Sequence, residues 1–168
     1  MGFQLTNADD WRRTFRFFDD FFTFDEAERW TTTADAGGSQ DLDSDGVCGV
    51  LRLATGSTDN DEAYVESTRE LFLFADDKAL TFEARVKYSE ANTDDANILI
   101  GLEDAPGADS LQDDGAGPKA SYSGFNFHKV DGGTAWNFES SIGSRQTTTE
   151  IDGETPGRNA YPTMCVEV

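Results

Sequence analysis

The sequence predicts an all-β protein: two antiparallel sheets packed as a sandwich, preceded by a short N-terminal arm or helix. Three observations carry that prediction. Residues 80–88 alternate strictly, with Leu80, Phe82, Ala84, Val86 and Tyr88 apolar and Thr81, Glu83, Arg85 and Lys87 polar. That is the period-2 pattern of a strand with one face on a core and one in water. Thirteen Phe, four Tyr and three Trp among 168 residues favour strands and carry large buried areas. Sixteen Gly, together with many Thr, Ser, Asp and Asn, supply turn chemistry at short intervals. At this length the chain forms one domain, and with 37% hydrophobic residues its core must be economical.

Residues 1–24 differ from the rest and are read as an arm, with the sandwich over 25–168. Thr6 or Asn7 can cap a helix whose first turn holds Asp9 and Asp10, the charge that a helix N-terminus prefers. Trp11, Phe15, Phe18 and Phe22 then recur at spacings that line one helical face. Arg12, Arg13 and Arg16 lie between them as a basic cluster in an acidic chain. Trp11, Arg12, Arg13, Phe15, Arg16 and Phe18 are therefore the residues expected to dock on an acidic or grooved partner. The competing expectation is a terminal helix packed on its own domain.

Trp30 anchors the entry to the body ahead of a Thr-rich strand, and 34–46 reads as an acidic loop. Residues 47–54 alternate as a strand, 63–68 form the next, and 71–74 form another or its continuation. The alternating stretch at 80–88 and the apolar run Ile98-Leu99-Ile100-Gly101-Leu102, short enough to be buried on both faces, are expected at the centre of a sheet. Residues 103–119 make a long Gly, Asp and Pro loop. Strands over 122–130 and 134–140 flank Asp131-Gly132-Gly133, a hairpin signal because Gly supplies positive φ. Strands at 146–150 and 164–168 follow. About eight to ten short strands with closely spaced turns make a jelly-roll-type sandwich.

Composition bounds the partners. The net charge of −20 repels phosphate, so neither nucleic acid nor an anionic membrane is expected as a partner. Acidic residues outnumber basic ones 33 to 13 and only Lys78, Lys87, Lys119 and Lys129 are lysines, a balance like that of halophilic proteins, whose carboxylates are screened at high salt. No apolar run reaches membrane-spanning length and the N-terminus lacks a signal-peptide layout, which points to synthesis in a cytoplasm. Cys48 and Cys165 sit in apolar, strand-like contexts and are expected to be buried free thiols.

Chemistry is hard to find. Asp41, Asp43 and Asp45 ahead of Gly46 form the first half of a calcium loop, but Arg52 stands where the bidentate Glu belongs, so a solvated acidic loop is expected and no metal site. Glu150, Asp152 and Glu154 alternate as do the carboxylates of jelly-roll glucanases, yet Thr155-Pro156-Gly157 breaks the strand there. His128, the single histidine, has no metal-ligand or triad partners by motif and reads as structural. Tyr122, Phe125 and Trp136 could stack on a sugar as exposed aromatics, but alternation in a hairpin favours a core role. No cofactor and no catalysis are expected.

A family resemblance enters at residues 30–103. The series Trp30-Thr31-Thr32, Gly49-Val50-Leu51-Arg52-Leu53-Ala54-Thr55-Gly56, Asp59-Asn60-Asp61-Glu62-Ala63, Phe82-Glu83-Ala84-Arg85-Val86-Lys87 and Ile100-Gly101-Leu102 resembles a tailed-virus structural protein, phage or haloarchaeal. Such proteins are similar in architecture to laminin-G and concanavalin-like jelly rolls, and some decorate or cement a capsid. The resemblance implies a location on the outer capsid surface, the major capsid protein as partner and a homotrimer. The alternative it leaves open is a carbohydrate- or receptor-binding module of a virion spike or tail.

Overall fold

The computed structural model describes residues 15–90, 95–151 and 163–167. Among them there is no helix, and the fold is all-β and sandwich-type: twelve antiparallel strands in several sheets. The largest sheet has four strands, β6 (Ile98–Glu103), β9 (Gly124–Lys129), β10 (Asn137–Ile142) and β11 (Arg145–Glu150), in the order β11-β10-β9-β6. A two-stranded sheet of β5 (Thr81–Arg85) and β12 (Thr163–Glu167) lies over it. Phe82 of β5 meets Phe125 of β9 edge-on at 5.5 Å, and Met164 joins Tyr88, Phe127 and Trp136 in the core, with Ile98, Ile100, Phe138 and Val166 packed around them.

Period-2 geometry explains this core. Phe125, Phe127 and Lys129 share one face of β9, opposite Leu102, Ile100 and Ile98 of β6, while Phe138 of β10 is opposite Phe127. On β5, Phe82 and Ala84 turn inward and Thr81, Glu83 and Arg85 outward, as the alternation predicts. Its position differs from the expectation, because among the described strands β5 pairs only with β12 and β6 is an edge, while β9 and β10 hold the sheet centre. Alternation reports which face is buried and carries no information about neighbours.

The remaining strands form three smaller sheets. β1 (Trp30–Ala34) pairs with β4 (Ala63–Ser67), and β2 (Ser39–Leu42) with β3 (Leu51–Ala54). β2 lies in what reads as a loop, since four residues are too few to show a period. The strand expected over 47–54 starts only at Leu51, because Cys48 and Gly49 have φ of 70° and 73°, which no strand accommodates. Within the 103–119 loop, β7 (Leu111–Gln112) pairs with β8 (Gly117–Pro118). Residues 71–74 form no strand. The 131–133 hairpin is present, with Asn137 opposite His128 and Gly133 N–H donating to Val130 O at 3.1 Å. Both cysteines are free, but they are exposed: Cys48 sits on the turn before β3, and Cys165 alternates with the inward Met164 and Val166.

The helix expected near the N-terminus is absent over its described half. Phe21 has φ of 53°, and the carboxylates of Asp19 and Asp20 accept from the N–H groups of Phe21 and Phe22, local bonds that compete with helix. The cap at Thr6 or Asn7, and Trp11, Arg12 and Arg13, lie outside the described residues.

Candidate functional site: an exposed aromatic surface and a buried polar network

Residues 15–24 run across the body in a non-helical path. Phe17 packs edge-on against Trp30 at 5.4 Å and Phe21 against the same indole at 5.8 Å. The Trp30 Nε1–H donates to Asp19 at 2.8 Å, Arg29 pairs with the same carboxylate at 3.3 Å, and its guanidinium lies 5.0 Å from the Phe17 ring centre. Gly49 makes the crossing possible: a Cβ there would stand 2.0 Å from Asp20 O, so only glycine lets the two backbones approach this closely. The segment is therefore bound to its own domain by alternate residues, and it turns the intervening ones outward.

Outward lie Arg16, Phe18, Asp20 and Phe22, and Phe15 ahead of them is exposed too. Phe15, Phe18 and Phe22 are 62%, 78% and 67% exposed. Phe15 stacks edge-on with Phe72 at 5.4 Å, which joins the segment to 71–74, where Leu73 is 89% exposed and Phe74 reaches back to Phe125 at 6.0 Å. Two chain segments thus form one aromatic surface. Of the predicted docking residues, Phe15, Arg16 and Phe18 are exposed here, and Arg16 takes part in an interaction of its own. Phe72 and Leu73 are additions. The sequence signal for them is an apolar run of four, Leu71 to Phe74, with no alternation, which a strand with one wet face does not produce.

The other face of the four-stranded sheet, turned away from β5 and β12, holds a buried polar network. Glu139 accepts from Tyr122 Oη–H and from Gln146 Nε2–H, each at 2.9 Å on Oε1, and from Thr148 on Oε2. Glu103 accepts from Asn126 at 3.2 Å and pairs with Lys119 at 3.2 Å. Asn126 Nδ2 also donates to Tyr122 Oη at 3.0 Å, so its Oδ1 must accept, and His128 Nδ1–H is the donor across 2.8 Å. Burial and the neighbouring Glu139 push the Tyr122 phenol up, keeping it a donor.

His128 is the structural histidine that the sequence suggests. Burial lowers its pKa from 6.5, opposed by Glu139. Between the lowered folded value and 6.5 the unfolded chain binds more protons than the folded one, so stability is full above 6.5 and falls as pH drops through that window. His128→Gln is expected to flatten this part of the profile. Urea denaturation at about pH 7.5 and about pH 5.5 measures it: the wild-type chain loses more stability than the variant on acidification. Equal losses would contradict the assignment.

Tyr122, Phe125 and Trp136 are buried, the core role expected from the hairpin alternation. Asp41 pairs with Arg52 across the β2–β3 ladder at 3.8 Å, and Asp43 accepts from Asp45 N–H, so the acidic turn is bonded within itself. Glu62 accepts from Asp109 N–H, and burial raises its pKa with help from Asp109, Asp113 and Asp35. Among the described residues no group of three or more His, Cys, Asp or Glu is placed to hold a metal ion. Glu150 ends β11 on an exposed strand, and Asp152 and Glu154 lie outside the described residues. No described helix is long and apolar enough to cross a membrane.

Fold and surface define a class, an all-β sandwich-type protein with large apolar side chains exposed on two segments that meet at Phe15 and Phe72. Comparison with family models, curated proteins and solved structures finds no match for this chain.

Proposed function

We propose that this chain is a structural virion protein that binds the outside of a capsid shell and stabilises it, without catalysis. The observation that carries the reading is the exposure of large apolar side chains, Phe15, Phe18, Phe22 and Leu73, on two segments that meet at Phe15 and Phe72. Large exposed apolar patches mark binding faces, and aromatic side chains concentrate binding energy in them. The charge of the chain bears on its solubility rather than on its orientation. A net charge of −20 over the chain keeps copies apart in solution, and on the aromatic segment Arg16 stands with Asp19 and Asp20, Asp19 being paired with Arg29. The surface would dock on shell subunits, and the acidic remainder would face solvent. A subunit that buries this face only on the assembled shell shifts the balance toward the shell by mass action. The resemblance to tailed-virus structural proteins supports the same partner, the major capsid protein.

Co-sedimentation with particles lacking the protein tests this. Deleting residues 1–24 is a poor variant, because it strips Trp30 of Phe17, Phe21 and Asp19. The double substitution Phe18→Ser and Phe22→Ser changes two exposed rings and should leave the fold unaltered. Saturable binding by the wild-type chain, weakened by roughly tenfold or more in the double variant, is the expected result. Absence of binding at low and at molar salt, or equal binding by both chains, would sink the proposal.

A further inference from the structure

The two edges of the four-stranded sheet differ. β6 is half-buried along all six residues, whereas every residue of β11, Arg145-Gln146-Thr147-Thr148-Thr149-Glu150, is exposed. β11 is also the outermost strand among those described. In an antiparallel ladder, alternate residues turn both backbone groups to one neighbour. Ile151 N–H donates to Trp136 O at 2.8 Å, in register with the β10–β11 pairing. Thr149, Thr147 and Arg145 therefore face β10, and Gln146, Thr148 and Glu150 turn their N–H and C=O groups outward. This row of backbone groups contains no Pro and no Lys, the usual blocks on an open edge.

We propose that β11 is a self-association edge: two copies join β11 to β11 antiparallel about a two-fold axis through Thr148, making one continuous eight-stranded sheet. A two-fold axis perpendicular to the sheet preserves the faces, so residues of like parity must oppose each other. The register that engages all three outward residues places Gln146 opposite the partner's Glu150 and Thr148 opposite the partner's Thr148. It forms about six backbone hydrogen bonds. Thr147 then stands opposite the partner's Thr149, a favourable cross-strand pair.

Charge chooses a second copy in this direction. The strand has one positive end, Arg145, and one negative end, Glu150, with four uncharged residues between. Antiparallel pairing brings opposite ends together, whereas parallel pairing would stack like on like. The net charge of −20 per chain opposes the encounter, so association should strengthen as salt screens it.

Sedimentation velocity of the full chain at about 0.1 M and about 2 M salt is the test. A mass of two chains, more populated at high salt, is expected. Thr148→Pro removes an outward N–H while keeping the bonds to β10, and should weaken the dimer by at least about tenfold. Because this variant also loses the hydroxyl bond to Glu139, Thr149→Arg serves as the second. It alters an exposed side chain and, opposite the partner's Thr147, places a cation diagonally beside the partner's Arg145 on the same face, so its dimer should fail at low salt and recover at high salt. A monomer at both salts, a three-chain mass, or a dimer indifferent to both variants overturns the proposal.

Discussion

Trp136→Ala is expected to lower the unfolding free energy by about 3–5 kcal/mol, a large part of what a domain of this size has. The indole is 1% exposed and meets Tyr88 edge-on at 6.3 Å, within the cluster that also holds Phe127 and Met164. Its position explains the magnitude. Trp136 closes the β9–β10 hairpin, its carbonyl accepts from Ile151, and its ring fills the space between the four-stranded sheet and the β5–β12 pair. Alanine leaves a cavity lined from both sheets, which neither can collapse into alone. Urea denaturation followed by fluorescence and by far-UV circular dichroism measures the change. A loss below about 1 kcal/mol would mean that the two sheets do not share this core.

The second large effect belongs to Lys129. Its side chain is fully buried, with Nζ 3.8 Å from Glu90, 3.2 Å from Ala96 O and 6.0 Å from the Tyr88 ring centre. Glu90 is also buried and accepts from Ala96 N–H at 3.0 Å. Removing the cation alone, in Lys129→Ala, leaves a carboxylate in a low-dielectric site and is expected to cost about 3–5 kcal/mol. Replacing both partners, Lys129→Met with Glu90→Leu, should recover most of that loss, because the desolvation of two charges disappears with the attraction. A double-mutant cycle reads the coupling. If the double variant is as unstable as the single one, the pair is not the reason for the lysine's burial.

Much of the fold was legible in the chain. The alternation at 80–88 identifies the inward residues of β5, the apolar run at 98–102 finds β6, and Gly132-Gly133 between aromatic stretches marks the hairpin. Each is local: a side-chain period or a φ requirement is written in consecutive residues. The candidate site was legible only in part. Phe15 and Phe18 were singled out by helical spacing, yet the segment is not helical, and Phe17 and Phe21 hold it to Trp30. Spacing alone does not show that Asp19 and Asp20 divert the backbone, nor that Gly49 leaves room for it. The polar network was invisible, since Glu103, Tyr122, Asn126, Glu139 and Gln146 are scattered over more than forty residues in sequence and meet only across β6, β9, β10 and β11.

By itself the sequence determined the all-β class, the inward face of β5, the aromatic hairpin and the structural part played by His128, because periodicity, turn chemistry and residue type act over a few neighbouring residues. The tertiary structure alone decided which strands are central and which are edges, where the 15–24 segment lies, that Cys48 and Cys165 are exposed, and which charges are buried in pairs. Those outcomes depend on contacts between residues far apart in the chain, and their energies come from burial and pairing that exist only once the sheets have closed on each other.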